Sequence, residues 1–442
     1  MNHECTGEGI LKVSITDNCW LRTTAIPIAA LACSLLGTSS LLFAQGTELS
    51  LEEAERLALE IDPDIRALVA RADAFEHLAA SVVELPDVQV RFGLMNYPLE
   101  HGNFRTEGMT HSVVGVRQSI PPRGLRSALS DKNELLAKEQ DLKSVSRALD
   151  VKHGVRHAWL DAYYHERRLE LIHKSQKLFG DLVHLARTLY STGDGSKSDI
   201  LQVELEQYKI EDSILETEQD RDNAYAAIRE YLGPDRVFSI AKTLPNWTNV
   251  PEFKDLRPEI AEHPLMTAYS AQIEAREAQR RVEEAGLNRN WMVDLSYAYR
   301  DGGLISSDSR SDLVSATVSF NFPIWGKQKY QQRIIQVSRL RNATQLERQS
   351  TARELVAKLE TVHQRWTSLT ARVALYEEQI IPKAEEHVTV TLESYENQAK
   401  DLSDVVQSHI NQIDAELKHL KLSIDRLKAW ADIDKLVRLE EI

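Results

Sequence analysis

Val314-Ser-Ala-Thr-Val-Ser-Phe-Asn-Phe322 puts an apolar side chain at every second position, with Ser315, Thr317, Ser319 and Asn321 between them. A period of two belongs to a β-strand with one oily and one wet face. The same pattern runs through Val293, Leu295, Tyr297 and Tyr299 against Asp294, Ser296, Ala298 and Arg300, and through Val88, Val90, Phe92 and Leu94 against Asp87, Gln89, Arg91 and Gly93. A fourth copy, Val114, Val116 and Ile120, is interrupted by Gln118. Each stretch approaches the roughly 9 to 11 residues of a tilted membrane strand. Tyr97, Tyr299 and Trp325 stand near segment ends, where either interface aromatics or ordinary packing accounts for them. Two hairpins give four strands, too few to close around a lumen. Their open edges therefore call for other copies of the chain, and three copies supply roughly twelve strands, enough to enclose water.

The surroundings of these strands repeat at an offset of about 201 to 205 residues. Asp62-Pro63-Asp64 answers to His263-Pro264-Leu265, Val114 to Pro121 answers to Ala316 to Pro323, and Tyr190 to Leu201 answers to Tyr395 to Val406. Each half reads helix, strand, loop, strand, very long helix, turn, helix. Leu355, Leu359, Val362, Trp366, Leu369, Val373, Tyr376 and Ile380 keep the alternation of four and three that marks a heptad seam. The last helix repeats it through Val406, Ile410, Ile413, Leu417, Leu420, Ile424 and Leu427, and the first half carries a weaker series, Leu171, Leu178 and Leu185 with Leu182 and Leu189. Between Gly124 and Gly193 only Gly154 and Gly180 interrupt the helical pattern, so the rod extends on the order of 100 Å. A soluble coiled-coil rod explains these helices equally well; the strands decide against it.

With 53 Lys and Arg against 67 Asp and Glu, the formal charge is −14 and no basic block offsets it, which excludes nucleic acid as a partner. Cys5, Cys19 and Cys33 all precede residue 45, so the remainder has neither a disulfide nor a thiolate metal site. Residues 1–44 read as a signal peptide, with an apolar run from Ala25 to Ala44 behind Arg22. An uncleaved anchor and lipidation at Cys33 stay open as alternatives. No other stretch nears the roughly 20 apolar residues of a spanning helix, so any crossing of a bilayer falls to strands.

Leu49-Ser-Leu-Glu-Glu-Ala54 before Asp62-Pro63, the strand ends at Pro121 and Pro323, Phe322-Pro-Ile-Trp-Gly-Lys327, and the two turn segments from Tyr190 and Tyr395 occur in one order. In that order the chain resembles the TolC-like outer-membrane efflux proteins over nearly the whole length after residue 44. The resemblance implies an α+β membrane protein: a homotrimer with a 12-stranded β-barrel, four strands per chain, set in outer-membrane lipid and continued into the periplasm by an α-helical coiled-coil barrel. It implies two partners, a periplasmic adaptor (membrane fusion protein) and an inner-membrane efflux pump of the resistance-nodulation-division type. On this division the first repeat spans 45–232 with a hairpin near 87–120 and a tip turn near 191–199. An equatorial linker follows at 233–257, and the second repeat spans 258–442 with a hairpin near 291–323 and a tip near 396–404. Met95-Asn-Tyr-Pro-Leu99, Met109-Thr110 and Gly115-Val-Arg-Gln118 look most like members serving heavy-metal cation exporters; drug efflux and type I secretion remain open.

The resemblance also implies a periplasmic gate. Asp199 would face Lys400, with Tyr395 and Ser198 as a second contact, and Asp404 would give one carboxylate per subunit to a ring. Gln407 stands where a second ring acid is often found, and Gln398-Ala399 replaces the usual tip glycine, which implies a less acidic gate and a less sharp second turn. Gly193, Asp194, Gly195, Ala399, Asp401 and Leu402 would form the adaptor-docking tips. Asp199 also lies near a helix N-cap, and capping alone accounts for it. His153 and His157, four apart on a helix, are metal-ligand spaced, but without a third ligand they read as an interhelical or solvated pair. His101, Met109 and His111 read as ordinary loop residues, and Gly193-Asp-Gly195 lacks both P-loop and EF-hand spacing. No nucleophile with a base, acid pair or cofactor loop emerges, so neither an enzyme nor a resident cofactor is expected.

Overall fold

The computed structural model describes residues 47–100, 103–105, 107–302, 310–322 and 326–441. The segment read as a signal peptide, His101 and Trp325 lie outside them.

In chain order the elements are β1 (Thr47–Leu49), α1 (Leu51–Ile61), α2 (Pro63–Ser81), β2 (Gln89–Met95), β3 (His111–Ile120), α3 (Leu125–Thr192), α4 (Lys197–Leu232) and β4 (Phe238–Ile240). The second half follows with α5 (Phe253–Leu256), α6 (Pro264–Ala285), β5 (Trp291–Tyr299), β6 (Leu313–Phe320), α7 (Lys327–Leu375), α8 (Ile381–Glu396) and α9 (Leu402–Val437). Among the described residues no helix is long and apolar enough to cross a membrane.

The two hairpins join into a single antiparallel sheet of order β2-β3-β5-β6. Val90 opposes Val116, Val116 opposes Leu295, and Leu295 opposes Ala316. One residue pair along, Phe92, Val114, Tyr297 and Val314 align in the same way. Because directly opposed residues in an antiparallel pair share a face, this register gathers the apolar set of all four strands on one side. That side is open: Phe92 is 81% and Val314 73% exposed. On the other side Asp294 accepts hydrogen bonds from Arg117, at 2.8 Å, and from Arg91. Trp291 packs on Phe320 at one end of β5 with ring centroids 4.9 Å apart. Tyr297 and Tyr299 stand toward the other end, roughly 20 and 26 Å along the strand from Trp291.

The helices hold the two repeats together. α3 runs unbroken for 68 residues and packs against α2, α4, α6 and α9. Gly154 permits the approach of α4, since a Cβ there would lie 2.1 Å from the Tyr231 Oη. At mid-height Arg156, 1% exposed, donates to Glu55 of α1 at 2.6 Å, to Asp434 of α9 at 2.6 Å and to Glu440. Its guanidinium also lies 4.8 Å from the ring of Trp247, which stacks on Trp430. Three carboxylates satisfy the fork of one buried cation, so removal of Arg156 would leave like charges facing one another without their buried counter-ion.

Several expectations need correction. The stretch after Gly233 is more than a connection, because β4 pairs in parallel with β1. In α3 the buried line is Ile172, Ser175, Phe179, Leu182 and Ala186, a four-three series one residue removed from Leu171, Leu178 and Leu185, the last of which is exposed. The α7 seam ends where Tyr376–Ile380 widens to a π-turn, with the Ile381 N–H reaching back to the Tyr376 carbonyl. Pro382 lacks an N–H and its ring crowds the carbonyl four residues before it, which explains the wider turn.

The two interior glycines of α3 separate packing from propensity. Gly154→Ala must displace Tyr231 and is expected to cost about 1–3 kcal/mol. Gly180, with nothing within 4 Å of its Cβ position, is expected to gain about 0.5–1 kcal/mol on replacement by Ala. Urea unfolding followed by helical circular dichroism measures both, and equal effects would contradict the close approach at Gly154.

Candidate functional site

The two helix-turn-helix tips meet in one cluster at the end of the helices farthest along the chain from the strands. Phe179, Leu182, Val183, Ala186 and Val203 of the first tip pack with Leu402 and Val406 of the second, flanked by Tyr395, Ile410 and Ile413. Both turns close alike. The N–H of Asp194 donates to the Leu189 carbonyl at 2.9 Å, and in the second tip the N–H of Ala399 donates to the Ser394 carbonyl at 2.9 Å. Gly193 takes φ of 90° and Gln398, its counterpart, φ of 57°. The second turn is therefore as sharp as the first, a correction to the expectation from the missing glycine, and Gln398 carries the left-handed strain that glycine avoids.

Each tip then opens a helix with the same reciprocal cap. Ser196 accepts from the Asp199 N–H at 3.2 Å while the Asp199 carboxylate accepts from the Ser196 N–H at 3.0 Å. Asp401 and Asp404 repeat the capping box more loosely at the start of α9: Asp404 accepts from the Asp401 N–H at 3.4 Å, while the Asp404 N–H donates at 3.1 Å to the Asp401 backbone carbonyl. Two orphan amides per helix are thereby satisfied. Tyr395 lies close enough to Asp199 to feel its charge: burial first, and that carboxylate second, push the phenol up. Lys400 and Ser198 are exposed, and among the described residues neither side chain makes a hydrogen bond or an ion pair, so Lys400 and Asp199 are not paired within the single chain. Gln407 donates to Asn411 at 3.1 Å.

Of the tip residues assigned to docking, Gly193, Asp194, Ala399 and Asp401 are exposed and Gly195 is partly covered. Leu402 is 5% exposed and belongs to the tip core. It is corrected from a surface role to a packing one, since the α9 cap turns it inward. Away from the tips, His153 and His157 meet Asp432 of α9, a third group the sequence spacing does not reveal. In the first hairpin loop, His111 Nδ1 lies 2.7 Å from the Met109 carbonyl.

No protein-family model matches the sequence, and no curated sequence matches it. Solved structures do. CusC, a protein described through its folding and transmembrane channel formation, superposes with a TM-score of 0.74 at 11% identity, covering 89% of this chain and 92% of that one. The outer membrane protein VceC from Vibrio cholerae gives a TM-score of 0.71 at 15% identity over 88% and 95% of the two chains. The Neisseria gonorrhoeae MtrE outer membrane channel in its open state gives 0.70 at 13% identity over 88% of each.

The chain has the outer-membrane channel fold.

In that fold the four-stranded sheet and the paired tips occupy opposite ends of the long helices, and nearly the full length of the chain takes part. Of the expected gate residues, the structure brings Tyr395 and Asp199 near one another and gives Asp199 and Asp404 identical local roles. The cap signature was present in the sequence as Ser196 and Asp401, each followed three positions later by an aspartate.

Neutral and truncated replacements distinguish the cap from the charge. Asp199→Ala is expected to lose about 1 kcal/mol of local stability, read as faster hydrogen exchange at the first amides of α4, whereas Asp199→Asn keeps an acceptor and most of the protection. Equal exchange in the two variants would contradict the capping box.

Proposed function

We propose that the chain is one subunit of a homotrimeric exit duct in the outer membrane, with three four-stranded sheets closing a 12-stranded barrel. The observation that carries this reading is the register of β2-β3-β5-β6, which assembles one continuous apolar face and leaves β2 and β6 as open edges. A face of that kind needs lipid, and open edges in lipid need strand partners. A second copy also suits α4, where Leu201, Leu205, Tyr208 and Leu215 stay exposed along one stripe. The two hairpins, distant in sequence and joined into one open-faced sheet, argue against a soluble periplasmic adaptor, in which a compact β domain would sit between paired helices. Conduction is passive in this reading, with a periplasmic adaptor at the exposed tip residues and a resistance-nodulation-division pump in the inner membrane supplying the drive. Heavy-metal cations are the cargo class implied by the resemblance around Met95 to Leu99, and drug efflux or type I secretion are the alternatives.

The purified protein, freed of residues 1–44, is expected to run as a heat-resistant trimer from the outer-membrane fraction and to pass current in planar bilayers. A monomer that remains in solution and conducts nothing would sink the reading.

At the periplasmic entrance Asp404 contributes a carboxylate ring, which attracts cations. Asp404→Asn preserves the cap and removes the charge, so block of current by divalent cations from that side is expected to weaken about tenfold. Unchanged block would remove the ring from the proposal. In the same recordings Asp199→Ala and Lys400→Ala test whether these residues pair across the closed gate. Their effects on opening are expected to be non-additive, and strict additivity would exclude the pairing.

A further inference from the structure

His153 and His157 stand one turn apart on α3 and point their Nε2 atoms at the same Asp432 oxygen on α9, at 2.7 and 2.9 Å. Their rings lie 4.4 Å apart, centroid to centroid, and the three donor atoms all fall within 4.8 Å of one another. On a tetrahedral ion with bonds of about 2.0–2.2 Å, neighbouring ligand atoms sit roughly 3.3 Å apart. Small rotations of the three side chains therefore open the cluster enough to admit an ion.

The surrounding cations are paired and do not oppose a bound metal ion. Asp432 faces Arg365 at 3.9 Å, but that guanidinium also lies 4.0 Å from Asp425. Lys428 is held by Asp161, four residues beyond His157 on α3. Arg365 and Lys428 are thus balanced by Asp425 and Asp161, which leaves the Asp432 carboxylate itself to favour a cation between the two imidazoles. The ligands are 26%, 29% and 19% exposed in the order His153, His157, Asp432, so solvent reaches the cluster and water is available for a remaining coordination position. Two imidazoles and one carboxylate suit zinc or copper(II) rather than magnesium or calcium, which prefer all-oxygen sites.

We propose that His153, His157 and Asp432 bind one divalent transition-metal ion and that this ion clips the middle of α3 to the end of α9. The ligands lie 275 and 279 residues apart in the chain, so the ion joins the first repeat to the second beside the Arg156 junction. The clip does not depend on what, if anything, the assembly conducts.

The test uses the purified full assembly in detergent, stripped with a chelator and titrated with Zn2+ alone by calorimetry and thermal melting, and with Cu2+ alone by electron paramagnetic resonance. One saturable Zn2+ per chain and a raised Tm are expected, with nitrogen hyperfine structure from two imidazoles on Cu2+. His157→Gln retains a donor to Asp432. It is expected to weaken Zn2+ binding by more than about tenfold, abolish the Tm rise and reduce the Cu2+ signal to one nitrogen. Asp432→Asn provides a second loss of ligand should His157→Gln not fold, and is expected to weaken Zn2+ binding likewise. Absence of saturable Zn2+ binding in the unmodified protein, or unchanged affinity and spectra in the folded variants, would overturn the site.

Discussion

A sheet that is oily across one entire face and unpaired along both edges has no stable place in water. The apolar face of β2-β3-β5-β6 is exposed in the single chain, and burying such side chains is worth about 25 cal/mol per Å2. The edges impose a harder condition, because an unsatisfied backbone amide in hydrocarbon costs several kcal/mol. Lipid satisfies the face but not the edges, and strands from another copy satisfy the edges but not the face. In the proposed duct both together would complete the structure. The wet side obeys the same logic: Arg91, Arg117 and Asp294 bond to one another on the side that cannot face lipid.

The helices extend this arrangement without repeating its chemistry. The two halves reuse a frame: Asp62 caps α2 by accepting from the Ile65 N–H, and His263 caps α6 by accepting from the Leu265 N–H. The imidazole can accept there only when that ring nitrogen is unprotonated, and burial lowers the His263 pKa in keeping with this role. The tips likewise keep their turn although Gly193 became Gln398 in the second half. Where the halves must meet, identical geometry no longer serves, and a cluster without internal counterpart takes over. Arg156 gathers Glu55 from one distant part of the chain and Asp434 and Glu440 from another. Such a buried network is weak evidence for net stability, but it tolerates few alternative arrangements of α1, α3 and α9.

The strands were legible because a period of two survives in four separate stretches, and the α9 seam because its apolar residues keep strict spacing. Ser175 and Ala186 concealed the buried line of α3, since a hydroxyl and a methyl contribute little to a hydrophobic pattern even when fully enclosed. β1 and β4 were illegible for another reason: three-residue strands carry no periodicity, and Leu49 pairs with Ile240 only after the intervening helices have folded. The partners of His153, His157 and Arg156 were hidden in the same way. No local spacing foretells a contact with α9 from 275 to 279 residues away. The π-turn before Pro382 is the converse case, in which a local breaker was visible but the heptad pattern ran through it.

At the tips, legibility had a different limit, because one residue type fits two roles that are usually opposed. A carboxylate chosen to cap a helix needs close contact with backbone amides, whereas one chosen for a pore needs a fixed position and an unneutralised charge. At Asp404 the requirements converge. The Asp401 amide holds this carboxylate in place, as the Ser196 amide holds Asp199, and the positive end of the helix dipole attracts it. That attraction offsets part of the repulsion that a ring of like charges would create. A lysine salt bridge would hold an aspartate equally firmly but cancel its field, while a free aspartate would keep its field and lose its position. The reciprocal cap supplies position without cancellation, which is why its recurrence in both tips is compatible with a gate and is not merely an alternative to one.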